Sequence, residues 1–186
     1  MTVYIALLRG INVGGNNIIK MQDLRRVLEA IGFSDVQTYI QSGNVLFKSN
    51  EEKELLPNKI KHAIEIAFGF SITIVLRTCQ ELEDIIKNFP FSPQEISEAE
   101  ASSKAQSAYV CLLTHVPLQE NIQKLDTYKT ESEDYRILGR EVFLLFHNSI
   151  SNSKLASNLH KLDVPATVRN LKTLNKLAAL AKAMEA

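Results

Sequence analysis

Short apolar runs and longer amphipathic ones alternate along the chain, and their spacing predicts the elements. Val3 to Leu8 is a continuous apolar run of strand length that stops at Arg9-Gly10, so it predicts a buried strand. From there the apolar positions Met21, Leu24, Val27, Leu28 and Ile31 follow helical spacing. Asp23, Arg25, Arg26 and Glu29 take the other face, and Gly32 serves as the stop. Val36 to Ile40 and Val45 to Lys48 predict two strands joined by Gln41-Ser42-Gly43-Asn44, whose glycine suits a hairpin turn. Leu55 to Phe68 predicts a second helix, with Pro57 in its first turn and Gly69 at its end. Ser71 to Arg77 is rich in β-branched residues and predicts a fourth strand. Strand, helix, strand, strand, helix, strand is the split-βαβ, ferredoxin-like order.

The order then recurs. Cys79 to Asn88 reads as a short helix ended by Phe89-Pro90-Phe91. The stretch 91–106, rich in Ser, Glu, Ala and Gln, reads as a partly helical linker. Ala108 to Thr114 predicts a strand, and Leu118 to Leu125 a helix. Tyr135 to Leu138 and Val142 to Phe146 predict two strands. Asn152 to Leu162 predicts a helix capped by Ser151 or Asn152, and Pro165 to Val168 a last strand. A helix from about Leu171 to Met184 follows. The expected fold class is α+β: two tandem ferredoxin-like (βαββαβ) units with a C-terminal helix. The first unit spans 1–90, the linker 91–106, and the second unit with the terminal helix 107–186. The halves match in pattern, without convincing residue-level similarity.

Composition narrows the function classes. Lys+Arg and Asp+Glu are both 21, and the zero net charge argues against coating duplex DNA. Cys79 and Cys111 lie in unrelated contexts, which fits a reducing cytoplasm better than a disulfide framework. Val3 to Leu8 lacks the basic segment of a signal peptide, and no apolar run approaches the ~20 residues of a membrane span. His62, His115, His147 and His160 show no zinc-ligand spacing, and no Gly-x-Ser-x-Gly elbow occurs. No metal and no cofactor is therefore expected. Glu81, Glu83 and Asp84, like Glu131, Glu133 and Asp134, read as solvated faces and turns. Cys79 and Tyr39 are the two weak candidates for nucleophilic or acid–base work.

The most specialised backbone lies at Arg9–Asn17, RGINVGGNN. In a split-βαβ unit the end of the first strand and the turn between the second and third lie at the same sheet edge. The loop is thus expected beside Ser42-Gly43-Asn44, with Arg77 at the opposite edge. Gly14 and Gly15 can offer successive backbone N–H groups to an anion, and the following helix start adds partial positive charge. Arg9 supplies a planar, permanently charged fork. Asn12, Asn16, Asn17, Ser42 and Asn44 offer directional hydrogen bonds, and Tyr39 a hydroxyl. The competing reading is structural: a tight turn, with asparagines accepting awkward dihedrals. A second polar stretch, Ala166 to Asn170, ends the last strand. There Thr167 or Asn170 can cap the terminal helix, and Arg169 can hold an anion or make an inter-domain salt bridge. The glycine spacing is neither a P-loop nor a dinucleotide fingerprint.

LLRGINVGGNN, the helix start MQDLR, GFSDVQTYIQSGNVLF and ATVRNLKTL together resemble a bacterial domain-of-unknown-function family, number sixteen-ninety-seven. The resemblance implies two ferredoxin-like units in tandem and marks positions without assigning an activity. Those positions are Arg9, Gly10, Asn12, Gly14, Gly15 and Met21, then Thr38, Tyr39, Ser42, Gly43 and Asn44, and lastly Thr167, Arg169, Asn170 and Thr173. Leu171-Lys172 departs from the family's common Trp-Asn. The resulting expectation is a small phosphate- or carboxylate-bearing, nucleotide-like ligand on the loop and the Ser-Gly-Asn turn. Arg9, Asn12, Gly14, Gly15, Asn16, Tyr39, Ser42, Gly43, Asn44, Thr167, Arg169 and Asn170 would hold it. The alternatives are an enzyme acting on a small anionic substrate, single-stranded nucleic-acid binding with Tyr4 and Phe47 as stacking aromatics, and a structural or interaction module. A homodimer through edge-strand pairing is the oligomer that open sheet edges allow, and no membrane partner is expected.

Overall fold

The opening apolar run becomes β1 (Thr2–Leu8), a central strand of the first sheet in the computed structural model, which describes residues 1–186. α1 (Met21–Ala30), β2 (Ser34–Tyr39), β3 (Asn44–Ser49), α2 (Leu56–Phe68) and β4 (Ile74–Thr78) follow. The sheet order is β2-β3-β1-β4 with every neighbouring pair antiparallel, the ferredoxin-like arrangement. Period two in the strands and 3.6 in the helices decides what is covered. Leu24 and Leu28 of α1 and Leu56, Ile60 and Ile64 of α2 share one core with Tyr4, Ala6, Leu8, Val45 and Phe47 of the sheet. The alternate strand positions Ile5, Leu7, Leu46 and Val75 are fully buried as well.

The rest of the chain is α3 (Cys79–Lys87), α4 (Pro93–Ala101), β5 (Ala108–Leu113), α5 (Gln119–Asp126), β6 (Glu133–Leu138), β7 (Glu141–Phe146), α6 (Lys154–Ser157), β8 (Ala166–Asn170) and α7 (Leu171–Glu185). The second sheet has order β6-β7-β5-β8, again antiparallel throughout. The chain forms two compact units: Met1–Asp84 with Leu174–Ala186, and Ile85–Thr173. Within the first, Leu180, Ala183 and Met184 of α7 line a groove of about 490 Å³ together with Val36 and Gln37 of β2, and Lys182 pairs with Glu83 at 3.0 Å.

Three local expectations change. The stretch 91–106 holds a full helix, α4, started by a capping box: Ser92 Oγ accepts from Glu95 N, and Glu95 Oε2 accepts from Ser92 N. The single helix expected over Asn152 to Leu162 is broken into a 3₁₀ turn at Ile150–Asn152, α6, and a 3₁₀ turn at Leu159–Leu162. Its cap is Ser153. Ser157 Oγ donates to Ser153 O and Asn158 Nδ2 to Lys154 O, so short polar side chains bond the local backbone and end the helix early. β8 runs two residues beyond Val168, which places Arg169 inside a strand rather than in a loop.

The halves also repeat at the residue level once pairing is used as the guide. Leu8 N donates to Gly43 O and Arg9 N to Thr73 O; Leu113 N donates to Arg140 O and Thr114 N to Pro165 O. In that register Tyr4, Leu7 and Leu8 match Tyr109, Leu112 and Leu113. Arg77, opposite Ile5, matches Arg169, opposite Val110. Both arginines are buried and donate through Nη1 to the carbonyl of the preceding residue.

Candidate functional site

After Leu8 the chain does not form an open loop. Asn16 N donates to Val13 O at 3.1 Å and Asn12 N to Asn17 O at 3.2 Å, so Asn12–Asn17 is a miniature β-hairpin. Gly14 and Gly15 are its two central residues, with φ of 59° and 76°. Positive φ at both is what a type I′ turn requires, and it accounts for the glycine pair. Their N–H groups donate to nothing within the protein and face solvent at the hairpin tip.

The hairpin is clamped by Asn12. Its Nδ2 donates to Ile19 O at 3.0 Å and to Gln41 O at 2.9 Å, and its Oδ1 accepts from Ile19 N at 2.8 Å. One side chain thus ties the hairpin base to the start of α1 and to the β2–β3 turn. Asn17 Nδ2 donates to Gly10 O at 3.0 Å. On the neighbouring turn, buried Asn44 donates through Nδ2 to Tyr39 O and to Ser42 Oγ, both at 3.0 Å. Leu8 N, at the end of β1, donates to Gly43 O at 2.8 Å and sets the start of the Arg9 segment beside this turn. The structure therefore brings Arg9–Asn17 and Ser42–Asn44 to one sheet edge. β4 runs antiparallel to β1, pairing Ile74 with Leu8 and Arg77 with Ile5, which sets Arg77 toward the other end.

The amide donors expected to meet a ligand at Asn12, Asn17 and Asn44 are thus engaged within the fold. What faces outward is different. Arg9 is exposed and its guanidinium makes no ion pair or hydrogen bond. Asn16 and Lys20 are exposed, and the half-buried Tyr39 keeps its hydroxyl unbonded. No Asp or Glu occurs in residues 9–22, 40–44 or 70–73, the three segments that build this edge. Around the clamp, Val13, Ile18 and Ile40 are 64%, 69% and 50% exposed. Sequence reasoning did not single out these aliphatic residues. The signal was present in the polar run that surrounds Val13; the pattern makes Ile40 the end of a strand, and the structure ends β2 one residue earlier, at Tyr39.

Thr167 and Arg169 are buried on β8, where Arg169 Nη1 donates to Thr167 Oγ1 at 2.7 Å and to Val168 O at 3.0 Å. Burial pulls the guanidinium pKa down to about 10. Asn170 Oδ1 accepts from Thr173 N at 2.7 Å and caps α7. In its own unit this segment holds the place of Arg77-Thr78, not that of Arg9.

Other candidates are relocated. Tyr4 and Phe47 lie in the helix-covered core, 6% and 0% exposed, so neither presents a face to a base. Cys79 is buried at the start of α3. Burial, with Glu185 and Glu83 near it, raises its thiol to about 11, which removes it as a nucleophile at neutral pH. In the second unit Glu131, Glu133 and Asp134 line an acidic cavity of about 840 Å³ with Glu95, Glu98 and Asp126. There Glu133 is buried and accepts from Thr130 Oγ1, so it is not the solvated turn residue expected.

A family profile described as "Protein of unknown function (DUF1697)" matches residues 1–143. No curated protein matches the chain. Among solved structures, a conserved bacterial protein from Streptococcus pneumoniae is similar at 27% identity with a TM-score of 0.73, covering 97% of this chain and 98% of that one. No helix is long and apolar enough to cross a membrane.

Proposed function

The chain belongs to the DUF1697 family of proteins of unknown function, and from the geometry of the hairpin edge we propose that it is a binding module for a phosphate- or carboxylate-bearing ligand. The observation that carries this reading is Arg9, an exposed and unpaired guanidinium on a framework whose own amide side chains are spent on rigidity. Its backbone is fixed by Arg9 N donating to Thr73 O, and its guanidinium is open to a charge-assisted, two-point contact. Lys20 adds a second cation, and the open Gly14 and Gly15 N–H groups add donors on the same edge. An enzymatic reading has less support. Among the edge's side chains only Tyr39 is a candidate for moving a proton, and Cys79 starts a helix at the far end of β4. The cytoplasm is the compartment we assign, since both cysteines are free and buried.

The test is a thermal-shift screen of the purified chain against nucleoside phosphates, sugar phosphates and dicarboxylates, repeated on Arg9→Ala. Loss of a charge-assisted contact of about 1.5–3 kcal/mol should weaken binding by roughly ten- to a hundredfold. If no anion raises the wild-type Tm, or if the shift survives Arg9→Ala, the assignment fails.

A further inference from the structure

Met1, Leu55 and Ile66 apart, the exposed large hydrophobic residues gather at one kind of edge in each unit. Of the nine large hydrophobic residues that stand exposed, Val13 sits on the hairpin of the first unit, Ile18 directly after it and Ile40 in the β2–β3 turn. Val116, Leu118 and Leu138 occupy the β5–α5 loop and the end of β6, the corresponding places in the second. Single exposed aliphatic residues need no account, but their concentration on one kind of edge does. In the first unit each lies within one residue of the Asn12 clamp: Val13 follows Asn12, Ile18 precedes Ile19, and Ile40 precedes Gln41. The patch is held by hydrogen bonds, so presenting it costs little ordering entropy.

Charge decides what covers it. Arg9 and Lys20, both exposed, bracket Val13 and Ile18 along the chain, and no carboxylate lies in the three segments that build this edge. A second copy meeting this edge with its own would set like charges together. An anionic membrane gains little from two cations, and the tip lacks the Trp, Phe or Leu of interfacial anchors. Nucleic acid would want exposed aromatics or many cations, and Tyr4 and Phe47 are buried. An acidic peptide segment carrying aliphatic side chains satisfies both halves of the surface, in a contact of the small, transient class.

We infer that the hairpin edge docks an acidic, aliphatic segment of a partner protein, with Val13, Ile18 and Ile40 against its apolar side chains and Arg9 and Lys20 on its carboxylates. This rests on the reading that Arg9 takes an anion, and it names the anion's carrier.

The test uses the full chain and short fluorescein-labelled peptides: one mixing Glu with Leu and Ile, one with Gln for Glu, and one with Ser for the aliphatics. The first should bind and the other two should bind at least about tenfold more weakly. Val13→Ser with Ile18→Ser, and separately Arg9→Ala with Lys20→Ala, should each weaken the first peptide by about tenfold or more. All these positions are exposed, so the fold should tolerate the changes, which circular dichroism checks. Equal binding of the Glu–Ser peptide overturns the inference while leaving anion recognition by Arg9 intact. So does binding of inorganic phosphate or a nucleotide with no peptide bound. Failure of both peptides and small anions removes the underlying reading too. Phosphatidylglycerol vesicles or a single-stranded oligonucleotide bound with the same dependence on Val13 and Ile18 would replace the partner we name.

Discussion

At the residue scale, Gly43 shows how little room the site leaves for variation. Its φ is 85°, and a Cβ there would stand 2.8 Å from Leu8 Cβ and 2.9 Å from Ile11 Cδ1. Leu8 Cβ belongs to a central strand and cannot swing aside. Gly43→Ala should therefore cost about 2–4 kcal/mol, from backbone strain and overpacking together, read as a drop in the urea midpoint. Gly14→Ala, where a Cβ meets nothing within 4 Å, should cost only about 1 kcal/mol for its positive φ. Sequence marked both as turn glycines. It did not separate them, because the approach of Ile11 and Leu8 to Gly43 exists only after β1 and β3 pair. A pH effect belongs to this scale as well. Cys79 is held protonated to about pH 11, against an ordinary thiol value of 9.0. Between those values the unfolded chain releases a proton that the folded chain keeps, so stability should fall as pH rises from 9 toward 11. Urea midpoints at pH 8 and pH 10 should show a steeper decline for wild type than for Cys79→Ala.

At the element scale, strands and long helices were legible because their periods of 2 and 3.6 were undiluted, and the ferredoxin-like order followed from them. The misread stretches were those where polar side chains decide the backbone. Ser92-Pro93-Gln94-Glu95 carried the capping-box spacing, yet the Ser- and Glu-rich composition around it suggested a linker. Ser92→Ala should lower stability by about 1 kcal/mol, with the loss seen as faster amide exchange in α4. The hairpin was legible as a special backbone and illegible as a hairpin, since its six residues have no apolar period to read. Its rigidity hangs on Asn12, with three hydrogen bonds to two other segments. Asn12→Ala should cost about 2–3 kcal/mol, and Asn12→Asp should fare no better, because it removes the donor to Ile19 O and Gln41 O.

At the scale of the whole molecule, the terminal helix raises a question that its own sequence cannot answer. Chain order places α7 with the second unit, 107–186; amphipathicity shows that it has an apolar face but not which unit that face joins. The structure groups Leu174–Ala186 with the first unit, whose earlier segment ends at Asp84. Leu174, Leu177, Ala181 and Met184 are buried, at 0%, 0%, 0% and 7% exposure. Burying a large aliphatic side chain contributes about 1.5–3 kcal/mol, so the three large ones together approach the whole stability of an ordinary domain. A chain ended at Thr173 should consequently lose the folded first unit, and the fragment 1–90 should not fold cooperatively alone. The discriminating measurement is amide exchange on the chain ended at Thr173, read at β2, whose Val36 and Gln37 border the α7 groove. Protection there should collapse and return when a synthetic peptide of residues 171–186 is added in excess. Protection that stays at the wild-type level without the peptide would mean that the first unit is complete without its terminal helix, and that the hairpin edge can be studied on a fragment.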